Sequence, residues 1–337
     1  MKRSNIFKHM YTGAVLLAIC ILGSCSKDAS YDFNGDETNR VFFNVGNYTV
    51  NSYNSFSFLL KQTPAGSVGE ISAAFPASTT LETDAAIKVK YTLDNSLIDS
   101  YNAQKGTKYS PIPEGLLTMS SAELTIPQGK LASSDSLKIS VAADKLSLLT
   151  GSGYVIPVTI ISISGSSNAQ VSTNMKTVYI VVNTVNTNVY DSPLITDMTG
   201  TLVANRTTWS ATLDATPTSG LLANMFDART NTNWYLSPAK ASVLTVNLGA
   251  ATSGITGIRI HTSTTTYYLT TANVLTSNDG NTWVSQGQAK FSIVNAYQYV
   301  KFYSPVNARY LRLEITGWRT TAATTRIMLT EFDVYKN

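Results

Sequence analysis

The sequence predicts an all-β chain of two sandwich-like domains, and three observations carry that prediction. Short segments of alternating apolar and polar residues recur along the 337 residues, spaced by Gly, Ser and Pro turns. Charged residues make up only 14% of the chain while Ser, Thr, Asn and Tyr are abundant, a composition suited to soluble sheet faces built from β-branched and aromatic residues. A single stretch, "NSLIDSYNAQKG" (95–106), reads as a helix, with Asn95 as its N-cap and Gly106 just past its C-terminus.

The chain opens on "MKRSNIFKHMYTGAVLLAICILGSC". Lys2, Arg3 and Lys8 form a basic start, and an apolar run from Ala14 to Leu22 follows. That run is shorter than the roughly 20 residues a membrane-spanning helix needs, and it suits the core of a secretory leader. Gly23 and Ser24 then place small residues directly before Cys25. "LGSC" resembles the lipobox of bacterial lipoproteins, which implies a leader over 1–24 and lipidation of Cys25. The expected location is the outer membrane, held by a lipid anchor. Asp28 adds a hint of display on the cell surface, because an acid near the acylated cysteine often accompanies it in Bacteroidetes-type lipoproteins. The other cysteine, Cys20, lies inside the leader, so no disulfide framework is expected.

Removing the leader changes the charge argument. Three of the 25 basic residues lie in it, leaving 22 against 21 acidic ones, so the mature chain is close to neutral. It carries no Lys/Arg run or basic patch of the kind that would suggest a nucleic-acid partner.

After a polar tether over 25–39, strand-like segments begin. "VFFNV" and "FSFLL" come first; "IKVKYTL" alternates, with Ile87, Val89, Tyr91 and Leu93 on one face. "AELTIP", "SLKISVAA", "YVIPVTIISIS" and "KTVYIVVN" follow. These strands and the one helix predict an immunoglobulin-like β-sandwich over 40–185. "NTVNTNVYDSPLIT" (183–196) is polar and aperiodic, which places a linker at 186–195. The second domain, 196–337, is again β: "SVLTVNLG", "GITGIRIHTS", "ANVLTSNDG", "YQYVKFYSP", "ARYLRLEITG" and "MLTEFDVYKN" are its strands. Leu311, Leu313 and Ile315 share one face for burial between two sheets, with Tyr310, Arg312 and Glu314 on the other.

The residue inventory excludes much chemistry. Beyond the leader there is one histidine, His261, and no thiol other than Cys25, so multi-His/Cys zinc sites and cysteine nucleophiles are ruled out. A Ser-His-Asp triad would have to use His261, and no Gly-x-Ser-x-Gly elbow, Walker loop or Rossmann fingerprint is present. His261 ends the strand-like "GIRIH", which suits either an exposed strand end or a ligand contact. A glycosidase needs only two carboxylates. Asp279 reads as part of an Asn-Asp-Gly hairpin turn, and Glu314 and Asp333 as outward strand residues. Asp227 and Glu331 remain.

Four stretches in order then carry a resemblance. "NMFDARTNTNW", "LTVNLG", "TSNDGNTW" and "ARYLRLEITG" followed by "LTEFDVY" resemble the discoidin family, the coagulation factor V/VIII type C domains, many of which bind carbohydrate. The resemblance implies an eight-stranded jelly roll of the galactose-binding type without a catalytic role, so no enzyme activity is expected. It also implies a structural Ca²⁺ held by Asp227, Thr232 and Glu331 with loop carbonyls; oxygen-only ligation suits Ca²⁺. Counted from Asp227, Thr232 and Pro238 stand where an EF-hand needs Gly and Glu, so that motif is excluded. Ala228 replaces the family's Gly. Arg229 stands where a second acid would help a metal, and the alternative is that it neutralises Asp227 and leaves the site empty.

Sugar recognition in the family falls on loops at one end of the sandwich, with aromatic faces and flanking polar side chains. "HTSTTTYYL" offers His261, Tyr267 and Tyr268, "TGWRTTAATTR" offers Trp318, Arg319 and Arg326, and the Asp227 loop continues into Tyr235. Trp318 beside Arg319 leads, because no strand is evident for it to pack into; the alternative is that it folds over the barrel rim as a lid. Trp209, Trp234 and Trp283 are assigned to the core. The first domain resembles the N-terminal domain of many Bacteroidetes surface lipoproteins, carried by "VKYTLDNSLIDSYNAQKGTKYSPIPEGLLTMSSAELTIPQGK" and the closing "YVIPVTIISISG" and "TVYIVVN". That implies a spacer or docking platform. The expected function is capture of polysaccharide or host glycan near companion glycan-uptake proteins. The alternatives are a protein-binding adhesin or scaffold subunit, marked by a flat apolar loop rim, and a glycoside hydrolase using Asp227 and Glu331, marked by turnover.

Overall fold

The computed structural model describes residues 38–45, 54–262, 264–320 and 325–337. The leader 1–24, Cys25 and nearly all of the tether lie outside the described residues. Among the described residues no helix is long and apolar enough to cross a membrane.

Both domains are β-sandwiches. In the first, one six-stranded sheet is built around the strands Gly153–Ser164 and Thr177–Asn186, and two three-stranded sheets complete the structure. Alternation fixes the registers: Ile87, Val89 and Tyr91 point into the core opposite the Gly153–Ser164 strand. Leu93, expected on that face, is exposed, because the chain leaves the sheet there for the helix. The run Gly153–Ile160 is buried on both sides. Its second face is covered by the helix Ile98–Lys105, whose Ile98 and Tyr101 pack on Val155, Tyr179 and Val181. That helix is led by a 3-10 turn over Asn95–Leu97, capped by Asp94 rather than Asn95: the Asp94 carboxylate accepts the Ser96 N–H at 3.2 Å. Gly106 closes the helix at φ +65, as the sequence predicts.

The second domain is a jelly roll formed largely by two long bent strands, Ser242–His261 and Tyr297–Trp318. Register shifts between Asn247 and Gly257 break the pairing and let each strand serve two layers. The half near Leu244 pairs with Ser210–Leu213 and with Leu311–Ile315, whose other side meets Leu269–Ser277 and then Val284–Lys290. The half near Ile258 pairs with Tyr297–Lys301 and with Glu331–Lys336. Leu311, Leu313 and Ile315 enter the shared core with Leu244, Ile258, Phe332 and Trp234. A small sheet, Ser219–Gly220, Trp234–Leu236 and Ile327–Leu329, closes one end.

The expected linker is not a free connection. The Thr177–Asn186 strand runs straight on into residues that belong to the second domain: Val189 is buried in its core and bridges to Phe302. Asn188 donates from Nδ2 to Gln286 Oε1 and Ser304 O, both at 2.9 Å, and accepts from Ser304 N–H at 2.8 Å. Tyr190 stacks on Tyr303 at 3.9 Å. The segment lacks periodicity because its partners are single residues on two distant strands, not because it is unstructured.

Candidate functional site

Three chain segments meet beside the small end sheet. Tyr235 lies in its central strand and pairs with Met328, and Arg326 immediately precedes the strand Ile327–Leu329. The connection after His261 brings Tyr267 and Tyr268 to the same place. The Arg326 guanidinium carbon sits 4.2 Å from the Tyr235 ring centroid and 5.0 Å from that of Tyr267. Stacking of this kind holds a cation by its planar faces and leaves the in-plane N–H groups uncommitted. Arg326 has no hydrogen bond or ion pair among the described residues, and its Nε is buried without a partner. Arg319 straps the tyrosine loop: its backbone N–H bonds Tyr268 O at 2.9 Å, Nη1 bonds Thr265 O at 2.9 Å, and its guanidinium lies 5.7 Å from the Tyr268 ring. Of the residues expected here, the structure therefore gathers Tyr235, Tyr267, Tyr268, Arg319 and Arg326, with Arg326 at the centre.

Trp318 is placed differently from expectation. It is the last residue of Tyr297–Trp318, pairs with Leu269 and packs half-buried against the core, with its indole N–H buried and unpartnered. The strand that seemed missing is its own, extended past Gly317 by pairing with Thr271 and Leu269. His261 is corrected more fully. It is only 9% exposed, with Nδ1 2.5 Å from Thr330 Oγ1 and its ring 4.5 Å from that of Tyr297. Burial, and then the Arg259 cation, lower its pKa, so it is a neutral interior imidazole and not an exposed strand end or a sugar contact.

The other tryptophans divide. Trp234 is fully buried and Trp209 packs against the core edge-on to Phe226. Trp283 is not a core residue: it stacks on the Arg312 guanidinium at 3.6 Å, on the outer face that also carries Tyr310. Its place beside the Asp279 turn explains this. Asp279 Oδ1 accepts from the N–H groups of Asn281 and Thr282, both at 2.8 Å, which holds its pKa down at about 2.

The Asp227 loop answers its polar composition locally. Asp227 Oδ1 accepts the Arg229 N–H at 2.9 Å and Oδ2 accepts the Thr232 hydroxyl at 2.7 Å. Ala228 between them is left-handed at φ +60, the conformation a glycine would take without strain. The preceding turn, Leu222–Phe226, packs on the strand Glu331–Lys336. There Arg206, in a segment without any sequence signal, bonds Glu331 Oε2 at 2.5 Å, Asp333 Oδ1 at 2.7 Å and Met225 O at 3.4 Å. Asp333, expected to face outward, is thus buried and shared with Arg259 at 2.9 Å. Burial raises the pKa of Glu331, against the pull of Arg206.

Glu331 Oε1 is buried without a well-formed hydrogen bond; the Arg229 N–H, close enough to this carboxylate to lower its pKa, bonds Asp227 at 2.9 Å. Among the described residues no cluster of three or more His, Cys, Asp or Glu side chains is found, so a cation here would depend on mixed oxygens. The Asp227 carboxylate, the Thr232 hydroxyl, the Arg229 carbonyl and Glu331 Oε1 are such a set, and they fit a hard cation rather than a transition metal. Both carboxylates have partners already: Glu331 Oε2 lies on the Arg206 guanidinium, and Asp227 bonds within its own loop.

Comparison with known proteins adds a family to each half. Residues 36–167 match a family model described as an N-terminal domain, and residues 205–329 match the F5/8 type C domain. No curated protein sequence matches the chain. Among solved structures, a two-domain protein of unknown function from Bacteroides fragilis shares 17% identity with a TM-score of 0.58, covering 90% of this chain and 96% of that one. A family 32 carbohydrate-binding module from C. perfringens in complex with galactose shares 21% identity over 39% of this chain and 96% of its own, with a TM-score of 0.34. Another from Clostridium perfringens, in complex with GalNAc-β-1,3-galactose, shares 19% over 39% and 96%, with a TM-score of 0.33.

Proposed function

Since residues 205–329 form an F5/8 type C (discoidin) domain behind a separate N-terminal family domain, we propose that the chain is a surface-anchored glycan-binding lipoprotein and not an enzyme. The observation that carries the reading is the cluster of Tyr235, Tyr267, Tyr268, Arg319 and Arg326 at one end of the jelly roll. Uncommitted guanidinium donors beside aromatic edges are what a sugar's hydroxyls and C–H surfaces require. The site works by capture. Each contact is shallow, so single-site affinity is weak and display of many copies on a membrane raises avidity.

Lipidation at Cys25 supplies the anchor, and the first domain acts as spacer for companion glycan-uptake proteins. The Asp227, Thr232 and Glu331 oxygens hold a structural Ca²⁺ that ties the loop to the last strand. The test is a glycan array probed with the full-length chain in detergent, beside Tyr267→Ala. Binding to a defined sugar class that disappears in the variant supports the reading. Silence from a folded chain sinks it and makes a protein partner the leading alternative.

A further inference from the structure

Among the described residues, the end of the jelly roll that carries the tyrosine and arginine cluster is built from 233–241, 262, 264–268, 316–320 and 325–330. These stretches contain Lys240, Arg319 and Arg326 and not one Asp or Glu. The intervening residues outside the described set, Ser263 and 321–324, are Ser, Thr, Ala, Ala and Thr, so none of them is a carboxylate. Ala239 donates its N–H to Thr325 O at 3.1 Å, which ties the stretch that carries exposed Lys240 to the one that carries Arg326.

The acids that flank these stretches have contacts of their own. Asp214 accepts the Val243 N–H at 2.8 Å, Asp227 accepts the Arg229 N–H at 2.9 Å and the Thr232 hydroxyl at 2.7 Å, Glu314 accepts from Asn273 at 3.2 Å on the outer sheet face, and Glu331 is held by Arg206. Arg206 and Arg259, in the same domain, do have carboxylate partners. Three cations with no carboxylate partner among the described residues, at one end of a nearly neutral chain, suit an anionic ligand.

Resting on the glycan-binding reading, we infer that this site selects acidic glycans, those bearing a carboxylate or a sulfate ester, over neutral ones. Arg326, clamped between Tyr235 and Tyr267, presents a pre-oriented fork of donors to a planar carboxylate or a sulfate edge. Arg319 and Lys240 add field rather than geometry.

The experiment uses the full-length chain in detergent on matched pairs: polygalacturonate and its methyl ester, and a sulfated galactan and its desulfated form. The expected result is that the acidic member of at least one pair binds about tenfold more tightly than its neutral twin, the size of one charge-assisted contact. That preference should shrink with added salt and fall to about one in Arg326→Gln. Arg319→Gln, at an exposed side chain, is the second variant, should Arg326→Gln lower the melting temperature; it should reduce the preference several-fold. Equal binding of the twins, or a preference that survives both variants, overturns acidic selection while leaving glycan binding intact. If no glycan of any charge binds here or on the array, the glycan-binding reading fails, and this inference with it.

Discussion

Arg206 Nη1 lies 2.5 Å from Glu331 Oε2 and 2.7 Å from Asp333 Oδ1, so one buried guanidinium bridges two carboxylates on the same face of the last strand. Removing it leaves buried charge without compensation, which costs far more than losing an exposed pair. Arg206→Met should therefore destabilise the second domain by about 3–5 kcal/mol in urea unfolding. The pH dependence has a definite sign. Glu331's folded pKa is raised, so its ionisation opposes folding, and that penalty is absent at acid pH and appears as pH rises through the carboxylate range. The variant should lose least stability at low pH. A loss under 1 kcal/mol at neutral pH would show that the network is not what holds this strand.

The orphaned Glu331 Oε1 gives the calcium proposal a measurable consequence. After EDTA treatment, Ca²⁺ at about a hundred times its Kd should add about 2.7 kcal/mol of stability, seen as a rise in melting temperature. Asp227→Ala should abolish the rise. Mg²⁺, which demands smaller octahedral geometry, should reproduce little of it. An unchanged melting curve across millimolar Ca²⁺ would exclude the ion and leave Arg206 as the cation that faces Glu331.

These two sites also mark how far the sequence could be read. Alternation in "ARYLRLEI" placed Leu311, Leu313 and Ile315 in the core, because period two is a local property of the strand. The Asp279 turn was legible for the same reason. Arg206 was not, since its partners lie 125 and 127 residues away and nothing near "NRTTW" signals them. Trp318 was misjudged because Gly317 and the threonines beside it resemble a loop, whereas pairing with Leu269 carries the strand one residue past the glycine. Arg326 stood in the quoted segment, but only the fold sets it between two tyrosines from other segments.

Ala228 occupies a left-handed turn position at φ +60. That conformation costs a non-glycine residue roughly 1–2 kcal/mol, part of which glycine returns through the entropy of the unfolded chain. Ala228→Gly should stabilise the domain by about 0.5–1 kcal/mol. A destabilised variant would mean that the Ala228 methyl packs against something that offsets the strain.

His261 carries the clearest acid-side prediction. Its folded pKa is below the ordinary histidine value of 6.5, so the folded chain prefers the neutral ring. Stability from this residue is fully present above that value and is lost as pH falls through it toward the folded pKa. Histidine titration by NMR should find His261 depressed, and His261→Gln should flatten the slope of stability against pH below the ordinary histidine range. An ordinary His261 pKa would place the imidazole in solvent and restore it as a candidate sugar contact.

The junction between the domains should behave as a fixed arm. Lys61 and Asp191 pair across it at 2.5 Å, but with Asp191 45% exposed such a pair contributes only about 0–1 kcal/mol. The Asn188 amide, by contrast, is buried and makes three bonds of 2.8–2.9 Å inside the second domain, while the next residue back, Thr187, donates its N–H to Gln62 O of the first domain at 3.0 Å. Asn188→Ala leaves the Gln286 and Ser304 groups buried and unpaired, a cost of about 1–3 kcal/mol. It should make the 186–192 segment sensitive to limited proteolysis, whereas Lys61→Ala should leave it resistant. Equal resistance in both variants would shift the restraint to the Tyr190–Tyr303 stack and the buried Val189, which Val189→Ala would then expose.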